Sequence, residues 1–93
     1  MTQAEFMDWA ENTVLEYLAT NGPFRAFEDT TFHLKDIFIV WYCKTLQNHK
    51  ALLGSTAVAG AYFEFTYNGD KDEAYLDVYG KHENIVCRRL EDE

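Results

Sequence analysis

The sequence predicts an α+β fold: an N-terminal amphipathic helix packed on a roughly four-stranded antiparallel meander sheet. Three features predict it. Apolar residues recur at helical spacing only near the N-terminus, further along they come in β-branched and aromatic blocks, and the links between those blocks are short. Parallel strands need crossovers of about a dozen residues or more, so the short links also exclude a doubly wound nucleotide-binding fold. The 93 residues make one domain, 1–93, with no room for a second.

The helix opens on Thr2-Gln3-Ala4-Glu5, a capping box in which the Thr and Glu side chains satisfy each other's free backbone N–H groups. Phe6, Trp9, Ala10, Thr13, Val14, Tyr17 and Leu18 then form one stripe, with Glu5, Asp8, Glu11, Asn12 and Glu16 mostly on the other side. Glu5, Asp8 and Glu11 also suit the positive end of the helix dipole. Asn21-Gly22-Pro23 ends it, so the spacing predicts a helix over about residues 3–20. Residues 22–34 read as a connector.

The first strand, Ile37-Phe38-Ile39-Val40-Trp41-Tyr42-Cys43, is apolar on both faces. Gln47-Asn48-His49 reads as a hairpin turn and Lys50 to Thr56 as the returning strand. Ala57 to Ala61 is small and flexible, and Tyr62 to Tyr67 is the third strand. Asn68-Gly69-Asp70 is the strongest short hairpin signal, because both central positions tolerate positive φ. Ala74 to Tyr79 is the fourth strand. The tail, 81–90, is ambiguous between a strand extension and a closing helix.

Strand side chains alternate, so the strands sort by face. Ile37, Ile39, Trp41, Cys43, Phe63, Phe65, Tyr67, Ala74, Leu76 and Val78 form one apolar set, the natural seat for the helix stripe. Phe38, Val40, Tyr42, Tyr62, Glu64, Thr66, Tyr75, Asp77 and Tyr79 form a second set, in which aromatics surround two carboxylates. No second helix is evident to cover it. Either the tail around Ile85, Val86 and Leu90 folds over this face, or it is a contact surface for another protein or a second copy. Tyrosine suits recognition because it offers a large area at little entropy cost.

The formal charge is −8, against direct binding to a phosphate backbone, which needs clustered Lys and Arg. An apolar fraction of 47% excludes a disordered chain. No apolar run reaches the roughly 18 residues of a membrane span, and the N-terminus lacks the basic and apolar regions of a signal peptide. Two cysteines without a secretion signal read as reduced thiols. Residues 56–93 carry nine acids against four bases, including Asp70, Asp72, Glu73 and Asp77 on the last hairpin. These acids solubilise the surface or meet a basic surface on a partner, such as a nucleic-acid-binding cleft.

Nothing in the spacing demands catalysis. His33, Cys43, His49, His82 and Cys87 lack zinc-site spacings, so no metal or other cofactor is expected. Cys43 reads as a small core residue, pairing with His49 only if the hairpin joins them. Gly54-Ser55-Thr56 lacks the Lys of a phosphate loop. Glu64 and Asp77 face each other across the third and fourth strands, a pair suited to acid–base work only if buried.

The stretches Ile39-Val40-Trp41-Tyr42-Cys43-Lys44-Thr45-Leu46-Gln47-Asn48-His49-Lys50-Ala51-Leu52-Leu53 and Tyr62-Phe63-Glu64-Phe65-Thr66-Tyr67-Asn68-Gly69-Asp70-Lys71, continuing into Tyr75-Leu76-Asp77-Val78-Tyr79, resemble a small family of unknown function met in bacteriophages and prophages of Gram-positive bacteria. The resemblance covers about residues 35–85. It implies an accessory phage protein made in the bacterial host cytoplasm, and it carries no activity or site residue with it. Small acidic phage proteins of this kind resemble inhibitors of host factors, including anti-defence proteins that occupy nucleic-acid channels.

The expectation is therefore a non-enzymatic interaction protein that inhibits a host or phage protein, with a defence nuclease such as a CRISPR effector as the specific expectation. Its expected contacts are Tyr42, Tyr62, Glu64, Asp70, Asp72, Glu73, Tyr75, Asp77 and Tyr79. The alternatives are a homo-oligomeric structural or sequestering module, such as a homodimer sealed by the aromatic face, and a nucleotide binder at a protomer interface. In the last, the Lys44–Lys50 hairpin would supply the cations.

Overall fold

The computed structural model describes residues 1–20, 33–80 and 85–89. Helix α1 spans Gln3–Thr20. A single 3₁₀ turn, Leu34–Asp36, leads into four strands: β1 (Ile37–Thr45), β2 (Asn48–Ser55), β3 (Val58–Asn68) and β4 (Glu73–Gly80). They form one antiparallel sheet in the order β1-β2-β3-β4, with the helix on one side, the α+β arrangement that the sequence predicts. Most of the expected connector, and tail residues 81–84 and 90–93, lie outside the described residues.

The helix begins where its capping box says it should. The Thr2 N–H donates to Glu5 Oε1 at 2.7 Å, and the Glu5 N–H donates to Thr2 Oγ1 at 3.1 Å. Its buried residues are Phe6, Ala10, Val14 and Leu18, a single row four residues apart. That row sits on Ile37, Ala51, Leu53, Phe63 and Phe65, all buried. Each fully buried Phe, Leu or Val contributes about 1.5–3 kcal/mol relative to exposure, so these nine residues anchor the two layers. Trp9 and Tyr17 flank the row, with Trp9 edge-on to Phe65 at 5.1 Å and Tyr17 to Phe63 at 6.1 Å. The helix lies chiefly over the β1–β3 side, and Val78 on β4 is 40% exposed although it shares the helix-side face.

The structure corrects the sorting of β1 by face. Ile39 pairs with Leu53 and Trp41 with Leu52, so Val40 is an extra residue in a β-bulge. One inserted residue inverts the alternation beyond it. Tyr42 therefore turns to the helix side, where its ring lies 5.7 Å from that of Phe6. Trp41 and Cys43 turn to the opposite face, and Cys43 is exposed rather than a core residue.

The links also differ in detail. The β1–β2 turn is Leu46-Gln47, with Leu46 at φ 57°, and Asn48 and His49 already belong to β2. Asn68-Gly69-Asp70 opens a turn as expected, but the turn runs to Asp72. The positive φ falls on Asp72, at 55°, while the Asn68 carboxamide oxygen accepts from the Asp70 and Lys71 N–H groups. In the 57–61 stretch, Ala57 belongs to the β2–β3 turn and 58–61 is the irregular start of β3. Gly54 pairs with Tyr62 but Ser55 with Val58, and Gly60 takes φ 83°, a conformation that glycine adopts without a side-chain clash. Among the described residues, no helix is long and apolar enough to cross a membrane.

Candidate functional site

The helix covers one side of the sheet. The other side carries Phe38, Val40, Trp41 and Cys43 from β1, and Lys50 and Leu52 from β2. It is completed by Tyr62, Glu64 and Thr66 from β3 and Glu73, Tyr75, Asp77 and Tyr79 from β4. Phe38, Val40, Trp41, Tyr62, Tyr75 and Tyr79 are each 40–50% exposed. Among the described residues, no second layer lies on this face. Of the tail residues that could cover it, Ile85 and Val86 are 68% and 75% exposed. Leu90 lies outside the described residues.

The register decides which expected contacts share the surface. Tyr62 pairs with Tyr79, Glu64 with Asp77 and Thr66 with Tyr75, so these side chains form a continuous two-strand block. Glu64 and Asp77 face each other as expected, and Glu64 also meets the Lys50 ammonium at 3.6 Å, across β2–β3. This partly exposed pair is worth at most about 1 kcal/mol, and its role is to place both charge signs amid the aromatics.

Asp70, Asp72 and Glu73 line the end of the last hairpin, and each is held. Asp70 accepts from the Gln47 carboxamide, which ties this turn to the β1–β2 turn. Asp72 accepts from the Tyr67 hydroxyl at 2.8 Å, and Glu73 from the Tyr75 hydroxyl. These hydrogen bonds hold the Tyr67 and Tyr75 phenols above the usual tyrosine range. Tyr42 leaves the open face because the bulge carries it to the covered side, and Asp70 and Asp72 lie in the β3–β4 turn at its edge, Asp72 bonded to the helix-side Tyr67.

An open groove of about 560 Å³ runs along the open face at the turn end of β1–β3, lined by Trp41, Cys43, Lys50, Thr66 and Asn68. His49 also contributes to the groove wall. The register nevertheless puts the Cys43 and His49 side chains on opposite faces of the sheet, and no hydrogen bond joins them. Among the described residues, no three His, Cys, Asp or Glu side chains gather to hold a metal ion.

The covered side hides a polar cluster that the sequence did not reveal. His49 is 2% exposed, stacked under Phe6 at 5.0 Å, and its Nδ1 lies 2.6 Å from the Tyr42 hydroxyl. Burial, then the Lys44 charge, hold its imidazolium below the ordinary range, against a hydrogen bond to the Met1 backbone that acts the other way. Burial likewise raises the Tyr42 phenol. The signal in the sequence was the alternation His49-Lys50-Ala51-Leu52-Leu53, which puts His49 in phase with two core residues.

Comparison with known proteins matches residues 7–89 to the model of a family of unknown function, DUF6275. The chain belongs to this family. The match takes in most of α1, the whole sheet and the exposed segment 85–89, so both the open face and its hairpin acids fall within the DUF6275 region. No curated protein and no solved structure matches the chain.

Proposed function

We propose that this protein is a non-enzymatic binding module whose open sheet face docks on another protein. The observation that carries the reading is the block of half-exposed aromatics, Phe38, Trp41, Tyr62, Tyr75 and Tyr79, on a face that no described element covers. A monomer's largest exposed apolar patch spans only a few hundred Å², and a patch of that size rimmed by polar groups marks an interaction site. Glu73 and Asp77 on β4, with Asp70 and Asp72 in the adjoining β3–β4 turn, give it a negative rim, complementary to a basic partner surface.

The partner class follows from that charge. A nucleic-acid-binding protein of the bacterial host, such as a defence nuclease, presents the basic surface these carboxylates fit, and blocking it would be steric and electrostatic. The resemblance to phage and prophage proteins supports an accessory inhibitor of this kind acting in the host cytoplasm. Affinity capture from bacterial cells tests the reading by comparing three chains. A partner retained by wild type and by Glu16→Lys on the helix exterior, but lost with Tyr75→Lys/Tyr79→Lys, supports it. A partner retained by the tyrosine variant overturns it.

A further inference from the structure

Among the described residues, two surfaces lack cover, and they complement each other. One is the open aromatic face, with Glu73 and Asp77 along β4 and Glu64 beside them. The other is the segment 85–89. It presents Ile85 and Val86 to solvent, followed by Arg88 and Arg89, with no acid among its five residues. In a chain of charge −8, this segment is the one place where adjacent arginines follow exposed β-branched residues.

We infer that in the free protein the open face is occupied by a second copy of this chain, each copy seating its Ile85–Arg89 segment on the face of the other. The inference rests on the reading that this face is the docking surface, and it names the occupant in the absence of another partner. Ile85 and Val86 lie on the aromatics, while Arg88 and Arg89 meet Glu73 and Asp77. Two copies of a strongly acidic chain repel one another, and opposite charge at the contact offsets that repulsion. A two-fold exchange uses the same pair of surfaces twice and leaves neither open, which closes the assembly at a dimer.

The area is sufficient. At about 200 Å² per aromatic side chain, the exposed parts of Phe38, Trp41, Tyr62, Tyr75 and Tyr79 amount to roughly 450 Å² per copy. The two faces together with the two seated segments reach the range of about 1,200 Å² at which specific interfaces begin. A basic partner protein would compete with these arginines for the same carboxylates, so self-association and partner binding exclude each other at this site.

Sedimentation of full-length chains tests the exchange. One variant is Arg88→Glu/Arg89→Glu and the other Glu73→Lys/Asp77→Lys. All four positions are exposed, so the fold, checked by circular dichroism, persists. The wild type is expected to dimerise in the micromolar range, and each variant alone to dimerise at least about tenfold more weakly, the worth of two exposed ion pairs. An equimolar mixture of the two is expected to recover a heterodimer, since each altered segment then meets a face of opposite charge. Ile85→Ser/Val86→Ser weakens the dimer without touching charge. A wild type that stays monomeric throughout that range overturns the inference, as does a dimer whose affinity neither charge variant changes. If the wild type is monomeric but Tyr75→Lys/Tyr79→Lys still abolishes partner capture, the second-copy inference falls and the docking reading stands.

Discussion

The Tyr42 hydroxyl lies 2.6 Å from Nδ1 of His49, under the first turn of α1. A hydrogen bond joins this hydroxyl to the buried ring, its direction set by the imidazole tautomer. With the hydrogen bond to the Met1 backbone, it joins the helix start to the β1–β2 hairpin by a buried polar link as well as by Phe6. Tyr42→Phe removes the hydroxyl and leaves Nδ1 of the buried His49 without this partner. Urea denaturation should show a loss of about 1–3 kcal/mol.

The same imidazole makes stability depend on pH. Its folded-state pKa lies below the unfolded value of 6.5, first because of burial and then because of the Lys44 charge. The neutral ring is therefore favoured by folding. Its contribution is complete above about pH 6.5 and is lost as the pH falls through the lower folded-state pKa. Denaturation midpoints should fall between neutral and mildly acidic pH, and His49→Gln should flatten that slope. A slope unchanged by the substitution would assign it to other groups.

Gly69 holds the two turns at one end of the sheet in register. Its N–H donates to Asn48 Oδ1 at 2.9 Å, and a Cβ at this position would stand 2.3 Å from the Gln47 carbonyl oxygen. Backbone cannot yield as the end of a flexible side chain can. Gly69→Ala should cost about 1–3 kcal/mol by overpacking, read as a lowered midpoint of thermal unfolding. At Gly54, by contrast, the nearest atoms to an added Cβ belong to the outer end of the exposed Phe38 ring, which can swing away.

Thr2→Ala removes half of the capping box and should destabilise the protein by about 0.5–2 kcal/mol. The Thr2 backbone N–H, and then its hydroxyl, hold the Glu5 carboxyl below the usual range. That contribution is present above about pH 4.5 and is lost on further acidification. Glu5→Gln should remove the corresponding part of the acid slope in thermal melts.

Much of this fold is legible in the sequence, for definite reasons. The capping box and the four-residue row of Phe6, Ala10, Val14 and Leu18 fix α1, and the short polar links fix the meander order. Residues 37–43 hide their bulge because every residue there is β-branched, aromatic or cysteine. A run apolar on both faces carries no period, so nothing marks where the alternation inverts at Val40. That one inversion exchanges Tyr42 with Trp41 and Cys43 between the core and the docking face. On β3 and β4, where Glu64, Thr66 and Asp77 interrupt the apolar residues, the period is visible and the expected face holds for Tyr62, Tyr75 and Tyr79. His49 stays hidden because a buried histidine needs partners from distant elements, and local spacing does not report the Phe6 ring above it.

The docking claim is tested most directly by photo-crosslinking in bacterial cells, with a benzophenone amino acid placed at Tyr62, at Tyr75 or at Glu16. Adducts to a second protein, whether another copy or a host partner, should form from positions 62 and 75 and not from position 16. Adducts from position 16 alone, or none from the sheet face, would contradict the account.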